Sequence, residues 1–156
     1  MIFVKRITDA IDLQTAMLIR RRVFVEEQKV PHREEYDQHE GTSNHYLAVD
    51  AVHTPCGTAR WRVTDYGIKL ERFAVDANFR HRGVGTALVE AILKDLKHHP
   101  LGPGKKIYLH AQLPAVALYR KFGFESVGEQ FTEAGIEHCK MERPPVDAEV
   151  TEKMKV

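Results

Sequence analysis

Apolar and basic residues alternate through residues 3–7, the pattern of an edge or half-buried strand. Thr8 and Asp9 follow as helix-capping residues, and Ile11, Ala16, Leu18, Ile19 and Val23 mark an amphipathic helix running to about Glu27. Residues 31–43 are polar and lack periodicity, which reads as a loop. Residues 45–51 and 58–64 flank the turn signal HTPCG and predict a hairpin; a turn at residues 65–67 leads to a third strand at residues 69–75. Apolar residues at 84, 88, 91, 92 and 96 have helical spacing. Beyond them the pattern predicts a buried strand at 107–111 and a short helix at 114–122 with Pro114 in its first turn. Two more strands follow, at 124–131 and 138–142. Three consecutive strands give an antiparallel meander, and the strand–helix–strand step from Lys69 to Ile107 gives a parallel pair. The expected class is α+β: a mixed sheet of about six or seven strands flanked by helices.

The chain has 156 residues, which predicts one domain. That domain is read as residues 1–143, with residues 144–156 as a polar tail after Pro144 and Pro145. Lys and Arg number 23 against 22 Asp and Glu, so no basic excess points to a nucleic-acid partner or a membrane surface. No apolar run approaches the roughly 20 residues a membrane-spanning helix needs. Cys56 and Cys139 lie far apart in sequence without a CxxC motif, which suggests reduced thiols and a cytoplasmic protein. No histidine pair has ligand spacing, so no metal is expected.

The segment LERFAVDANFRHRGVGTALVEAILKDLK carries the chemistry. A strand ends at Val75, and Arg80-His81-Arg82-Gly83-Val84-Gly85-Thr86 opens the best-patterned helix. The first N–H groups of a helix lack internal partners and carry the positive end of its dipole, so a phosphate fits there. The spacing is neither a Walker A loop nor GxGxxG, and a two-glycine helix start is also an ordinary tight turn.

Two signatures together resemble the GNAT superfamily of N-acetyltransferases. One is Arg80-x-x-Gly83-x-Gly85, five residues past the strand. The other is Ala115-x-x-Leu118-Tyr119-x-Lys121-x-Gly123-Phe124. Arg22-x-Phe24-Val25-x-Glu27-Gln28, Gly57-Thr58-Ala59-Arg60-Trp61, Glu71-Arg72 and Gly135-Ile136-Glu137-His138 make the chain similar to the ElaA- and YjcF-like branch. The resemblance implies acetyl-CoA as donor and an amine, of a small molecule or a protein, as acceptor. It places the coenzyme diphosphate on residues 80–86 and the pantetheine arm along Phe73, Ala74 and Val75, where members carry a bulge. Gln112 stands where many members have Asn. A homodimer is the family's habit.

Acetyl transfer to an amine needs a base for the ammonium proton, an acid for the departing thiolate and an N–H donor for the oxyanion. The resemblance makes Tyr119 the acid and the Val75 N–H the oxyanion donor. For the base, Glu71 faces the cleft or pairs with Arg72 or Arg60; His138 has the right titration range; or water alone serves. Arg22, Phe24, Glu27, Gln28 and Asp37 are candidates for the acceptor pocket. The competing functions are an acyl-CoA-binding module without catalysis, and a nucleotide-binding interaction domain.

Overall fold

In the computed structural model, which describes residues 1–147, a seven-stranded sheet runs in the order β1-β2-β3-β4-β5-β7-β6. Its strands are β1 (Phe3–Arg6), β2 (Asn44–Val49), β3 (Pro55–Val63), β4 (Ile68–Val75), β5 (Ile107–Gln112), β6 (Glu125–Glu133) and β7 (Ile136–Arg143). Only β4 and β5 are parallel, joined by the crossover helix α3 (Val84–Leu96). Helix α1 (Ala10–Arg20) continues into a π-helical segment Arg21–Glu27; α2 is His32–Glu35 and α4 is Val116–Arg120. The mixed sheet and every anticipated strand are present. The short α2 replaces part of the anticipated loop, and the first helix widens after Arg20. Asp9 caps α1 by accepting from the Asp12 N–H.

Val84, Leu88, Val89, Ile92 and Leu96 pack α3 onto Trp61, Leu70, Ile107 and Leu109 of the sheet. Trp61 is fully buried and donates its indole N–H to the Tyr46 hydroxyl, which in turn bonds Asp95. On α1 the buried face differs from the anticipated one. Ala16, Ile19, Arg20 and Val23 face inward, while Ile11 and Leu18 are exposed. The run Arg20-Arg21-Arg22 is split by the helix's 100° turn per residue. Arg20 is 1% exposed and bonds Glu35 and Glu40, while Arg21 and Arg22 point outward.

Past Arg143 the chain is not loose throughout its described part. Val146 is buried against the core, and the Gly104 N–H donates to its carbonyl. The rest of the anticipated tail lies outside the described residues. Cys56 and Cys139 are buried free thiols. Among the described residues no helix is long and apolar enough to cross a membrane.

Candidate active site

Two departures from regular sheet create the site. β4 carries an extra residue against β3: Arg60 pairs with Glu71 and Thr58 with Ala74, so two steps on β3 match three on β4. Arg72 sits at this bulge with φ +58°. The parallel pairing of β4 with β5 then stops at Leu70–Leu109, and the two strands diverge. The Asp76 N–H donates to the Cys56 carbonyl on β3. Strand alternation therefore sends the main-chain groups of Phe73 and Val75 the other way, into the gap.

The open end of the gap meets the start of α3. Gly83 caps that helix at φ +81°, a conformation that suits glycine, and no side chain caps it. The first intrahelical bond runs from Ala87 N–H to Gly83, which leaves the amides of Val84, Gly85 and Thr86 without helical partners. A Cβ built on Gly83 would meet nothing within 4 Å, so the turn is uncovered. Val84 points its side chain into the core, and the Thr86 hydroxyl bonds no described residue. The donor set is thus main-chain N–H at a helix N-terminus, with His81 and Arg82 beside it; Arg82 lies over the Phe79 ring at 5.3 Å. That chemistry fits a diphosphate. Arg80 is engaged differently. Its guanidinium grips both oxygens of Glu27 (2.6 and 2.7 Å) and the Val75 carbonyl (3.2 Å), tying the end of the first helix to the end of β4. Arg22 likewise pairs with Asp76 at 3.1 Å.

From this turn a cavity of about 620 Å³ follows the gap. Gly85, Leu118 and Val75 line one end, Phe73 and Tyr119 the middle, and Glu71, His110 and His138 the far side. Tyr119 is 5% exposed, edge-on to Phe73 with ring centres 5.5 Å apart, and its hydroxyl bonds no described residue. Burial pushes that phenol above its ordinary range. Gln112 exchanges hydrogen bonds with Gln28 (3.0 and 3.3 Å), closing the gap between β5 and the end of the first helix. Phe24 is buried below them and also faces the cavity.

One side of the cavity is walled by a charge network. Arg60, fully buried, bonds Asp37, Glu40 and Glu71; Glu71 also contacts Arg62 (3.1 Å) and Lys69 (3.4 Å). Burial alone would raise the Glu71 carboxyl, but Arg60 and its neighbours lower it to about 2. Asp37 is also held well below its usual range, chiefly by Arg60 against the opposing effect of burial. Arg72 reaches from the bulge to the Glu35 carbonyl (3.1 Å) and to Asp37 (3.1 Å). Glu71 thus faces the cleft and is paired with Arg60 as well.

His138 is 6% exposed. Its Nδ1 lies 2.7 Å from the Ile136 carbonyl and its ring stacks on Phe131. Glu133 and His110, absent from the expected site, sit with it. The signal was available in the two-residue alternation Tyr108-x-His110-x-Gln112, which puts all three on one face of β5.

The match to the acetyltransferase (GNAT) domain model spans residues 9–144. The chain belongs to the GNAT family of acetyltransferases. It is 38% identical over 130 residues to the uncharacterized N-acetyltransferase YjcF of Bacillus subtilis, covering 83% of this chain and 90% of that one. It is 31% identical over 140 residues to protein ElaA of Escherichia coli, covering 87% and 90%. The crystal structure of Escherichia coli ElaA superposes with a TM-score of 0.79 at 28% identity, covering 92% of this chain and 99% of that one. An acyl-CoA N-acyltransferase from Pseudomonas aeruginosa superposes with a TM-score of 0.75 at 26% identity, over 91% and 97%. The protein is a GNAT N-acetyltransferase, and enzymes of this family use acetyl-CoA.

Proposed function

We propose that this GNAT enzyme moves the acetyl group of acetyl-CoA directly onto a primary amine, with both substrates bound together. A single continuous cavity carries the reading: it joins the uncovered helix turn to Tyr119 and His138 through the gap between β4 and β5. The amides of residues 83–86 would hold the diphosphate, and Phe73 would offer main-chain groups to the arm, while the Val75 carbonyl is taken by Arg80. The coenzyme supplies an acetyl thioester.

Tyr119 holds its proton because burial disfavours the phenolate, and among the described residues its hydroxyl has no competing partner. It therefore suits donation to a departing thiolate. The Val75 N–H points into the gap, where an oxyanion donor is needed. Glu71 is the weaker base, because a carboxylate bonded to Arg60 and lowered to about 2 has little affinity for an ammonium proton. His138 is the better one, with an imidazole nitrogen turned to the cavity.

Acetyl-CoA is incubated with a panel of primary amines and thiol release is followed. Tyr119→Phe should lower kcat by about 100-fold, the low end for a general acid, with coenzyme affinity and melting temperature unchanged. Equal turnover by this variant would remove the acid role. Coenzyme binding without turnover on any amine would favour a non-catalytic acyl-CoA-binding module.

A further inference from the structure

The β6–β7 hairpin brings a carboxylate and an imidazole together at the far side of the cavity. Ala134 and Gly135 form its two-residue turn, both with positive φ (51° and 76°) as a type I′ turn requires. That turn pairs Glu133 with Ile136 and Phe131 with His138. Alternation then puts Phe131, Glu133 and His138 on one face, beside His110 of β5. Phe131 stacks on His138 with ring centres 5.8 Å apart and meets the edge of His110 at 5.1 Å.

The hydrogen bonds fix which atoms carry protons. A carbonyl only accepts, so His138 Nδ1, 2.7 Å from the Ile136 carbonyl, must be the N–H. In the neutral ring Nε2 then presents its lone pair. That lone pair faces Glu133 Oε2 at 3.7 Å, beyond hydrogen-bond distance. Glu133 Oε1 is taken at 3.3 Å by His110 Nδ1. This bond lowers the Glu133 carboxyl against the opposing pull of partial burial, and Lys69 on β4 and, when protonated, His138 add to the lowering. Glu133 is therefore an anion with one oxygen committed and the other turned to a second acceptor. While the imidazole is neutral, two acceptors face each other across 3.7 Å and call for a group with several donors and no lone pair.

We infer that Glu133 Oε2 and His138 Nε2 form the seat of the acceptor's ammonium group, with Glu133 as a substrate-binding residue of the transfer reaction. This rests on the proposed amine acetylation and adds the chemistry of its acceptor. A protonated primary amine brings three N–H donors and satisfies both atoms at once; an alcohol has one and leaves the other acceptor unpaired. The seat thus selects nitrogen over oxygen. One N–H proton then passes from the ammonium to Nε2, which leaves the nitrogen lone pair for the acyl carbon and the imidazole as imidazolium. Glu133 stays ionised and faces the new cation.

Full-length protein labelled with ¹⁵N-histidine is titrated with ethylammonium chloride, tetramethylammonium chloride and ethanol, and the imidazole nitrogens are followed by long-range ¹H–¹⁵N correlation. His138 should show the Nδ1–H tautomer in the free protein. Its Nε2 resonance should shift saturably with ethylammonium and stay still with tetramethylammonium, which has the charge but no N–H, and with ethanol. Glu133→Gln, an isosteric change at a half-exposed site, should keep the circular dichroism spectrum and weaken ethylammonium by about tenfold, the loss of one charged hydrogen bond. An Nε2–H tautomer, an equal response to tetramethylammonium, or unchanged affinity in a folded Glu133→Gln protein would each overturn the inference. The tautomer is read on the parent protein and so decides even if the variant misfolds. Binding is measured without turnover. Amines acetylated by a protein lacking this response would sink the seat alone, and a seat filled by amines that are never acetylated would sink the proposed reaction alone.

Discussion

Replacing Arg60 with Met tests whether the charge network is what holds the acceptor wall. Met keeps a long unbranched side chain and removes the guanidinium. Arg60 is fully buried and bonds Glu71 (2.7 Å from Nε), Asp37 (2.6 and 3.0 Å) and Glu40 (2.7 Å). Its loss strands none of the carboxylates completely: Asp37 keeps Arg72, Glu40 keeps Arg20, and Glu71 keeps Arg62 and Lys69. Removing one partner of a buried ion pair costs about 3–5 kcal/mol, and the remaining cations place this case near 3. For a domain of this size that is a fall of roughly 10 °C in melting temperature. The pH dependence gives a sharper readout. In the parent the Glu71 carboxyl lies at about 2 against an ordinary 4.5. A lowered carboxylate contributes stability that is full above 4.5 and is lost as pH falls through 2, so the parent is insensitive to this group between pH 7 and 5. In the variant burial outweighs the weakened attraction, the carboxylates take up protons more readily when folded, and stability rises from pH 7 to pH 5. Thermal melts by circular dichroism at the two pH values read both effects. A loss below about 1 kcal/mol, with the parent's pH dependence retained, would refute the assignment of the network to Arg60.

Other expectations follow from single contacts. Gly85→Val should leave the fold intact and weaken acetyl-CoA by at least about tenfold in calorimetry. A Cβ there already meets Leu118 Cδ2 at 3.0 Å, and the added methyls crowd the cavity mouth. Arg72→Gly should barely change the melting temperature, since relief of the positive φ, about 1 kcal/mol, offsets the lost bonds to Glu35 and Asp37. Limited proteolysis should then cut faster within residues 31–43, and an unchanged cleavage rate would argue against Arg72 as the latch of that loop.

The strands and α3 were legible because each buries one face, and burial imposes a period of two or 3.6 on the residues that supply it. Val84, Leu88, Ile92 and Leu96 carry that period and are all buried. The helix start at Gly83 was legible because glycine tolerates the positive φ that the turn there adopts. The burial of Arg20 was not, since a charged side chain reads as solvated until its partners are known, and Glu35 and Glu40 lie 15 and 20 positions away; for Arg60 the pairing with Glu71 was anticipated, but not those with Glu40 and Asp37, 20 and 23 positions away. Ile11 and Leu18 misled for the converse reason: isolated apolar residues on a surface are common. Arg80 fits the motif at the diphosphate turn by position, yet its guanidinium is taken up by Glu27, a contact that only the fold brings together. The bulge at Arg72, implied only by the family resemblance, left no trace in the residues themselves, because its left-handed backbone is occupied by a residue that does not favour it.

That occupancy has a physical reason. A glycine would adopt φ +58° without strain, but only a long cationic side chain can also reach the carbonyl of Glu35 and the carboxylate of Asp37. The same residue therefore sits at the bulge of β4, where the coenzyme arm is proposed to run, and latches the segment around Glu35 and Asp37. A shift of β4 on coenzyme binding would be felt first at residues 34–37, through Arg72, before any acceptor enters. Hydrogen exchange should show it: acetyl-CoA ought to slow amide exchange in residues 32–37 of the parent, and this protection, remote from the diphosphate turn, should vanish in Arg72→Gly while protection at residues 83–86 persists. Equal protection of residues 32–37 in both proteins would mean that the two halves of the site are assembled independently.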